Sequence, residues 1–432
     1  MTARTSTRGS ACGAPAHPRR PNRVAAVVNE YWPRSHADLI VGKLIGGYEV
    51  MWTPIRPRID VDSLYVHDPG PTDIGARVAA DQKIGLHPSV EEALRRGGPA
   101  VDVEGVVLIG ERNERSGRPL ELDERGRPID PRFDFFMRMA EVCEQDGRPI
   151  PVFIDKYLGR TWKESKAVYD TARRLAIPLM AGSSVPVTLR SPTQVSLGAC
   201  VEEVVAVATG VGEAPIFHPL ELVQSMIERR AGHETGVASV QFLSGDAFWS
   251  AWESGERWSA ELCDAALAAV PHHGEPPRDF YARRHSGGAP ERQAGPSRPT
   301  GAEEAVIVEY LDGTRLAVLL LTGYMLRRSV AIRLRGQPDP LVTSSPTGVK
   351  LTSEAMGSVR PAIPGQAKPS TWNFDHLVYF IDDFMQTGVP RFPIERTLLT
   401  SGILDAAMTS RHCGGALVET PHLAIEYWSM AL

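Results

Sequence analysis

Cysteine is scarce and dispersed: Cys12, Cys143, Cys200, Cys263 and Cys413 lie far apart, and none falls in a CxxC pair. That spacing excludes a dense disulfide framework, and reduced thiols in a cytoplasmic protein are the simplest reading. No apolar run approaches the roughly eighteen residues that a membrane-spanning helix needs. The run Leu316 to Leu321 has the length of a strand. Charge of one sign is not in excess either, since 47 Lys and Arg face 52 Asp and Glu, a formal -5. So small an imbalance gives no general field for nucleic acid or an anionic membrane, and neither is expected as a partner. The first 22 residues carry no apolar core of a secretion signal and read as a flexible tail rich in Ser, Thr, Ala, Pro and Arg. GxxxxGK[ST], GxSxG and HExxH are all missing, which removes support for P-loop phosphate chemistry, for a nucleophile-elbow hydrolase and for a zincin.

What is present is ordinary material for a folded protein, 42% hydrophobic, in a chain of 432 residues that is long enough for two domains. The run Arg23 to Val28 reads as a buried strand, Asn29 to His36 as the loop at its carboxyl end, and Ser35 to about Gly46 as a helix capped by Ser35. Strand-like Asp62 to Val66, Gly105 to Ile109, Ile150 to Ile154 and Pro178 to Ala181 then alternate with helix-like Ile74 to Ala80, Ser89 to Arg95 and Trp162 to Leu175. This alternation predicts an α/β layer with a parallel sheet over residues 23–182, and ligands approach the carboxyl ends of such strands.

From about Ser183 the pattern changes. Glu203 to Val207, Val237 to Phe242, Glu304 to Tyr310, Arg315 to Leu321 and Val330 to Arg335 read as strands of an α+β second domain over residues 183–432. Residues 271–299 are rich in Gly, Pro, Arg, Glu and Ser and read as a mobile loop. His376 to Met385 and Ile394 to Met408 look helical, and His422 to Tyr427 strand-like.

The candidate chemistry gathers at strand mouths. Asp155-Lys156-Tyr157 follows Val152-Phe153-Ile154, which places an ammonium where it can donate to a developing alkoxide or exchange a proton; a surface ion pair of Asp155 with Lys156 is the structural alternative. His218 follows Pro215-Ile216-Phe217 and can exchange a proton near neutrality, with Glu221 on the same helical face; a capped first turn is the alternative. Glu30, Trp32, Arg34 and His36 make the first mouth polar and aromatic, suited to a substrate or part of a cofactor, or else to solvent. Asp68 could accept from ribose hydroxyls, and Glu111, Arg112 and Asn113 with Arg132, Asp134 and Arg138 could build a polar acceptor site. His422 stands near the end of the chain as a weaker candidate. His218, Glu221, His376 and His422 are donor types for a metal, but no compact ligand pattern unites them. Trp249, Trp252 and Trp258 suit ordinary packing.

Pro151 to Tyr157 followed by Thr161 to Met180, then the His218 segment, Pro393 to Thr397 and Thr420 to His422, resemble the Gfo/Idh/MocA-like oxidoreductases over residues 23–432. The resemblance implies a Rossmann-like domain, a C-terminal α+β domain with an open mixed sheet, NAD or NADP as cofactor, a small sugar-like hydroxylated or carbonyl substrate, and a homo-oligomer. It puts Lys156 in the conserved lysine position beside Asp155 and His218 in the catalytic histidine position; Glu30, Arg34, Glu111, Tyr157, Glu221 and His422 are the residues read as candidates for substrate, and Asn29, Trp32 and Asp68 for the cofactor. Two departures stand out. The family's GxGxxG is replaced by Asn29 to Arg34, and its Glu-Lys-Pro reads Asp155-Lys156-Tyr157. Those departures keep two other readings open: a lyase, isomerase or hydrolase, cofactor-independent or metal-assisted, using the same crevice, or a non-catalytic binding subunit in which Lys156 and His218 lie beyond catalytic reach of each other.

Overall fold

The structure is a computed structural model that describes residues 22–51, 53–188, 195–210, 212–286, 303–325, 327–345 and 372–429. The tail ahead of residue 22 lies outside them. β1 (Asn22–Val28) leads through α1 (His36–Gly46) and a hairpin of β2 (Tyr48–Val50) and β3 (Thr53–Ile55) to β4 (Ile59–Val66). α2 (Gly75–Gln82), β5 (Gly85–Leu86) and α3 (Val90–Arg95) precede β6 (Gly105–Ile109). α4 (Arg132–Gln145), β7 (Val152–Asp155), α5 (Trp162–Arg174) and β8 (Leu179–Gly182) complete the first layer.

The six strands run parallel in the order β5-β4-β1-β6-β7-β8. Val24 to Val28 are buried to 1% or less because helices cover both faces, which is why the strand reads as an unbroken apolar run. Strand order reverses between β1 and β6, so their carboxyl ends open a crevice where open α/β sheets bind ligands.

The second layer contains β9 (Val201–Ala208), α6 (Glu213–Ile227), β10 (Val237–Ser244), α7 (Asp246–Ser254), α8 (Ala260–Ala268), α9 (Pro277–His285), β11 (Glu303–Tyr310), β12 (Arg315–Leu321), β13 (Arg328–Leu334) and β14 (Leu341–Ser345), with α10 (Trp372–Thr387), α11 (Ile394–His412) and β15 (Val418–Glu419) following. Its seven-stranded sheet has the order β14-β13-β9-β12-β11-β10-β15 and is mixed, β9 and β12 being the parallel pair. Alternate residues go to opposite faces. Val306 and Val308 meet α6 and α11, whereas Ala305 and Ile307 meet Phe248, Trp258, Leu262 and Tyr281 of the α7 to α9 side. Both faces of this sheet are therefore covered by the chain's own helices.

Three local expectations change. Pro277 to His285, read as part of a mobile loop, is α9, held by Phe280 and Tyr281 buried against the second sheet; residues 287–299 lie outside the described residues. His422 to Tyr427 is not a strand: Pro421 to Leu423 forms a 3-10 turn, and Tyr427 makes an isolated bridge with Glu234. α10 follows residue 183 in sequence yet packs on the first layer, where Leu377, Ile381 and Phe384 join Ile40, Leu44 and Tyr48, and Lys43 meets Asp375 at 2.7 Å.

Candidate active site

The strands at the crevice each deliver a polar group. β7 ends in Asp155, and Lys156 follows with φ +69°, a left-handed conformation that costs a residue with a side chain about 1–2 kcal/mol. The turn is over-determined by its neighbours. Lys156 N donates to Gly182 O at 3.1 Å, and buried Arg132 donates through Nη1 to Asp155 O and Tyr157 O, both at 2.9 Å. Lys156 Nζ then lies 3.8 Å from Glu111 Oε1 and 3.9 Å from Asp155 Oδ2.

Glu111 follows β6, and its Oε2 accepts from His36 N at 2.6 Å. His36 is the first residue of α1, whose N-cap Ser35 accepts from Asp38 N. The His36 Nδ1 lies 2.8 Å from Asp155 Oδ2, and Nε2 lies 4.0 Å from Glu111 Oε1. Burial alone would raise Asp155, but His36, Lys156 and Arg132 outweigh it and hold the carboxyl at about 2. Asp155 is thus ionised at neutral pH and can only accept, so His36 Nδ1 carries the proton of that bond.

His218 comes from the second layer, in the second turn of α6, which starts at Glu213 rather than at His218. Its Nδ1 lies 3.2 Å from Ser183 Oγ. Ser183, immediately after β8, donates its N–H to both oxygens of Glu221 at 3.1 Å and its hydroxyl to Glu221 Oε2. Gly182 has φ +144°, and a Cβ there would stand 2.8 Å from Glu221 Oε1, so the bare backbone is what lets this carboxyl in. Burial pushes Glu221 up to about 7 against the hydrogen bonds from Ser183 and the field of Arg396. Burial, then Arg328, Lys156 and His36, push His218 well below its ordinary 6.5, which leaves a neutral imidazole at neutral pH.

His36, Glu111, Lys156 and His218 line one cleft of about 630 Å³, walled further by the segment between β6 and α4 and by the end of α11. The other sequence candidates divide. Tyr157 reaches the cleft wall, but it is buried, its hydroxyl donates to Glu213, and Arg132 stacks 3.9 Å over its ring, so it serves as packing rather than as a substrate ligand. Glu221 stands behind His218 and not in the cleft lining. Glu30 is buried beneath the loop, accepts from Asn113 N at 3.1 Å and braces Arg112 at 3.7 Å. Arg34 is exposed on the loop at φ +70° and does not line the cleft. His422 lies on the 3-10 turn with its ring 5.1 Å from that of Trp162, away from the cleft. Asn29 is buried and donates to Glu111 O, Trp32 is buried, and Asp68 is held by Arg112 at 2.6 Å and Arg118 at 2.9 Å. Asp134 and Arg138 face a separate groove of about 480 Å³ beside His67. Among the described residues no group of three or more His, Cys, Asp and Glu is placed to hold a metal ion.

Two groups of the site were not singled out as catalytic from sequence. His36 carried only a recognition role, although it stands at the start of the first helix. Ser183 was read as the point where the pattern changes, although its place after Ala181-Gly182 at a fourth strand mouth was the available signal.

A dinucleotide in this topology lays its pyrophosphate over the amino end of the first helix. The residues present do not fit one there. Tyr31 and Trp32 are 0% and 5% exposed and fill the loop, Pro33 offers no N–H, and the His36 and Arg34 amides are already taken by the carboxylates of Glu111 and Asp38. Among the described residues the acceptors Asn29 Oδ1 and Asp155 Oδ1 are buried there without hydrogen-bond partners, and their sign matches a phosphate rather than complementing it.

No family model matches the sequence, and no protein of curated function does. Solved structures do match. GenD2 from gentamicin A biosynthesis, in complex with NAD, superposes with a TM-score of 0.55 at 14% identity, over 96% of this chain and 99% of that one. The fold is that of the Gfo/Idh/MocA-type oxidoreductases. A myo-inositol dehydrogenase from Lactobacillus casei, in complex with NAD(H) and myo-inositol, superposes with a TM-score of 0.51 at 11% identity, over 92% of this chain and 96% of that one.

Proposed function

We propose that this chain is an enzyme acting on a small hydroxylated or carbonyl compound in the cleft, an oxidoreductase by the kinship of its fold. Lys156 holds the reacting oxygen and His218 exchanges its proton. The observation that carries the reading is that an ammonium from the first layer and a neutral imidazole from the second line the same cleft. Glu111 and Asp155, 3.8 and 3.9 Å away, aim the ammonium, so that it can stabilise negative charge developing on a carbonyl or alkoxide oxygen. His218 is unprotonated and its Nδ1 side is held by Ser183, which leaves Nε2 for substrate. That shared cleft supports catalysis over a purely structural subunit.

The redox form of the reading needs NAD or NADP, and the solved GenD2 and inositol dehydrogenase complexes support it. Its test is calorimetry with oxidised and reduced forms of both, on protein stripped of carried-over ligand. Saturable heat supports it, and no heat at millimolar nucleotide removes it. The filled amino end of α1 favours a second reading, in which Lys156 and His218 move a proton without a nicotinamide, as an isomerase or lyase. The groups named all belong to one chain.

A further inference from the structure

At the amino end of α1, where the fold offers backbone N–H groups to an anion, this chain presents an imidazole bound to a carboxylate. His36 Nδ1 is 2.8 Å from Asp155 Oδ2, and Glu111 Oε2 accepts the His36 backbone N–H at 2.6 Å. Phe374 packs an edge-on ring 5.0 Å away and fixes the plane of the imidazole. The side chain is 16% exposed, and the residue lines the same cleft as Lys156 and His218. An ionised Asp155 keeps the proton on Nδ1, so Nε2 is the nitrogen left for the cleft; it stands 4.0 Å from Glu111 Oε1, too far for a hydrogen bond.

We infer that His36 is a second acid–base group of this site, and that the chain catalyses proton transfer at the carbon next to a carbonyl, between an imidazole on each layer and one ammonium that holds the oxygen. The inference rests on the reading that Lys156 binds the substrate oxygen. In the step it assigns, one imidazole takes the C–H proton; the C–H electron pair forms a C=C bond while the C=O pair moves onto the oxygen facing Lys156. The other imidazole, in its protonated form, returns a proton to carbon as the C=O bond re-forms. Return to the opposite face of the same carbon is epimerisation. In a 2-hydroxy carbonyl compound, return to the former carbonyl carbon, with the hydroxyl proton passing to the original carbonyl oxygen, is aldose–ketose isomerisation. No electron acceptor enters the balance, and a hydroxy-carbonyl compound is the substrate class that meets these demands. A hydride transfer would use one base; two on separate layers with the oxygen holder beside them match an enolisation.

The test is deuterium wash-in. The full chain is incubated in deuterium oxide without nicotinamide, with a panel of 2-hydroxy aldehydes, 2-hydroxy ketones and 2-oxo acids, and carbon-bound deuterium is read by proton NMR. Deuterium is expected in at least one of them, and His36→Asn, whose amide can still donate to Asp155, is expected to slow its entry about 100-fold or more. Lys166→Ala, in an exposed pair with Asp170, is expected to leave the rate unchanged. Exchange by His36→Asn at the wild-type rate overturns the inference, and so does a wild type that exchanges none of the panel. Nicotinamide reduction by wild type without wash-in overturns it while leaving the oxidoreductase reading standing; wash-in that survives Lys156→Ala sinks the reading beneath both. Should the asparagine variant not fold, the long-range ¹H–¹⁵N spectrum of the wild-type imidazoles decides: a neutral His36 ring is expected to carry its proton on Nδ1, and one that carries it on Nε2 overturns the assignment.

Discussion

Among the described residues no cation is bonded to Glu221: Ser183 satisfies it, and burial raises it from the ordinary 4.5 to about 7. The folded chain therefore holds a proton there that the unfolded chain releases between those values. That stability is complete below about pH 4.5 and is lost as pH rises through 7, a span worth about 3 kcal/mol. Glu221→Gln stays neutral throughout, and guanidinium unfolding at pH 5 and pH 8 is expected to show this difference in the wild type and not in the variant. Asp155 has the opposite sign. Held at about 2, it contributes stability above the ordinary 3.8 that disappears as pH falls through 2. Asp155→Ala would leave His36 Nδ1 without its buried acceptor and Lys156 with Glu111 as its remaining carboxylate, and a loss of about 3–5 kcal/mol in the same unfolding measurement at pH 7 is expected.

α11 is the element that brings the two layers to one cleft. Thr397 Oγ1 donates to Ala181 O at 2.7 Å, Ser401 Oγ accepts from Leu158 N at 3.2 Å, and Leu399, Ile403 and Ala407 are buried against the second sheet. The helix can lie this close because Gly402 faces Trp162 and Leu423, where a Cβ would come within 3.1 Å of the Trp162 ring and closer still to Leu423. Gly402→Ala gains helix propensity and loses packing, and overpacking wins: a net loss of about 1–3 kcal/mol by chemical denaturation is expected.

The two layers are also locked by the segment between β6 and α4. Arg127 is 0% exposed, with Nε 2.8 Å from Glu213 of α6 and Nη1 3.2 Å from Asp405 of α11, and Arg125 joins Asp405 at 2.7 Å. Removing this cation takes from buried Glu213 its ion-pair partner and leaves it the Tyr157 hydroxyl, so Arg127→Ala is expected to lose about 3–5 kcal/mol. Trp249, Trp252 and Trp258 cluster on the second layer, so with the other five tryptophans replaced by phenylalanine their fluorescence reports that layer while far-ultraviolet circular dichroism reports both. The two signals are expected to coincide during urea unfolding of that background and to separate when Arg127→Ala is added to it.

Much of the fold was legible because it is local. Val24 to Val28 form the buried strand their apolar run suggests, Ser35 does cap a helix, and Lys156 follows the strand whose mouth it was read at, whereas His218 lies in the second turn of α6 and not at its start. The elements that departed from expectation did so through packing: α9 forms on two buried aromatics within a polar stretch, and α10 crosses back to the first layer. By itself the sequence determined the parallel layer, the strands of an α+β second layer and which residue types stand at the strand mouths, since those follow from apolar periodicity and capping chemistry; that the second sheet is mixed was implied only by the family resemblance. Only the tertiary structure decided which of them meet. His36 and Asp155 are 119 residues apart, and Ser183 and Glu221 come from different layers. Strand order and the left-handed turn at Lys156 set those distances, and neither leaves a periodic trace along the chain. The same holds for the amino end of α1: the missing glycines were visible, but that Glu111 occupies the His36 N–H is a fact of the crevice alone.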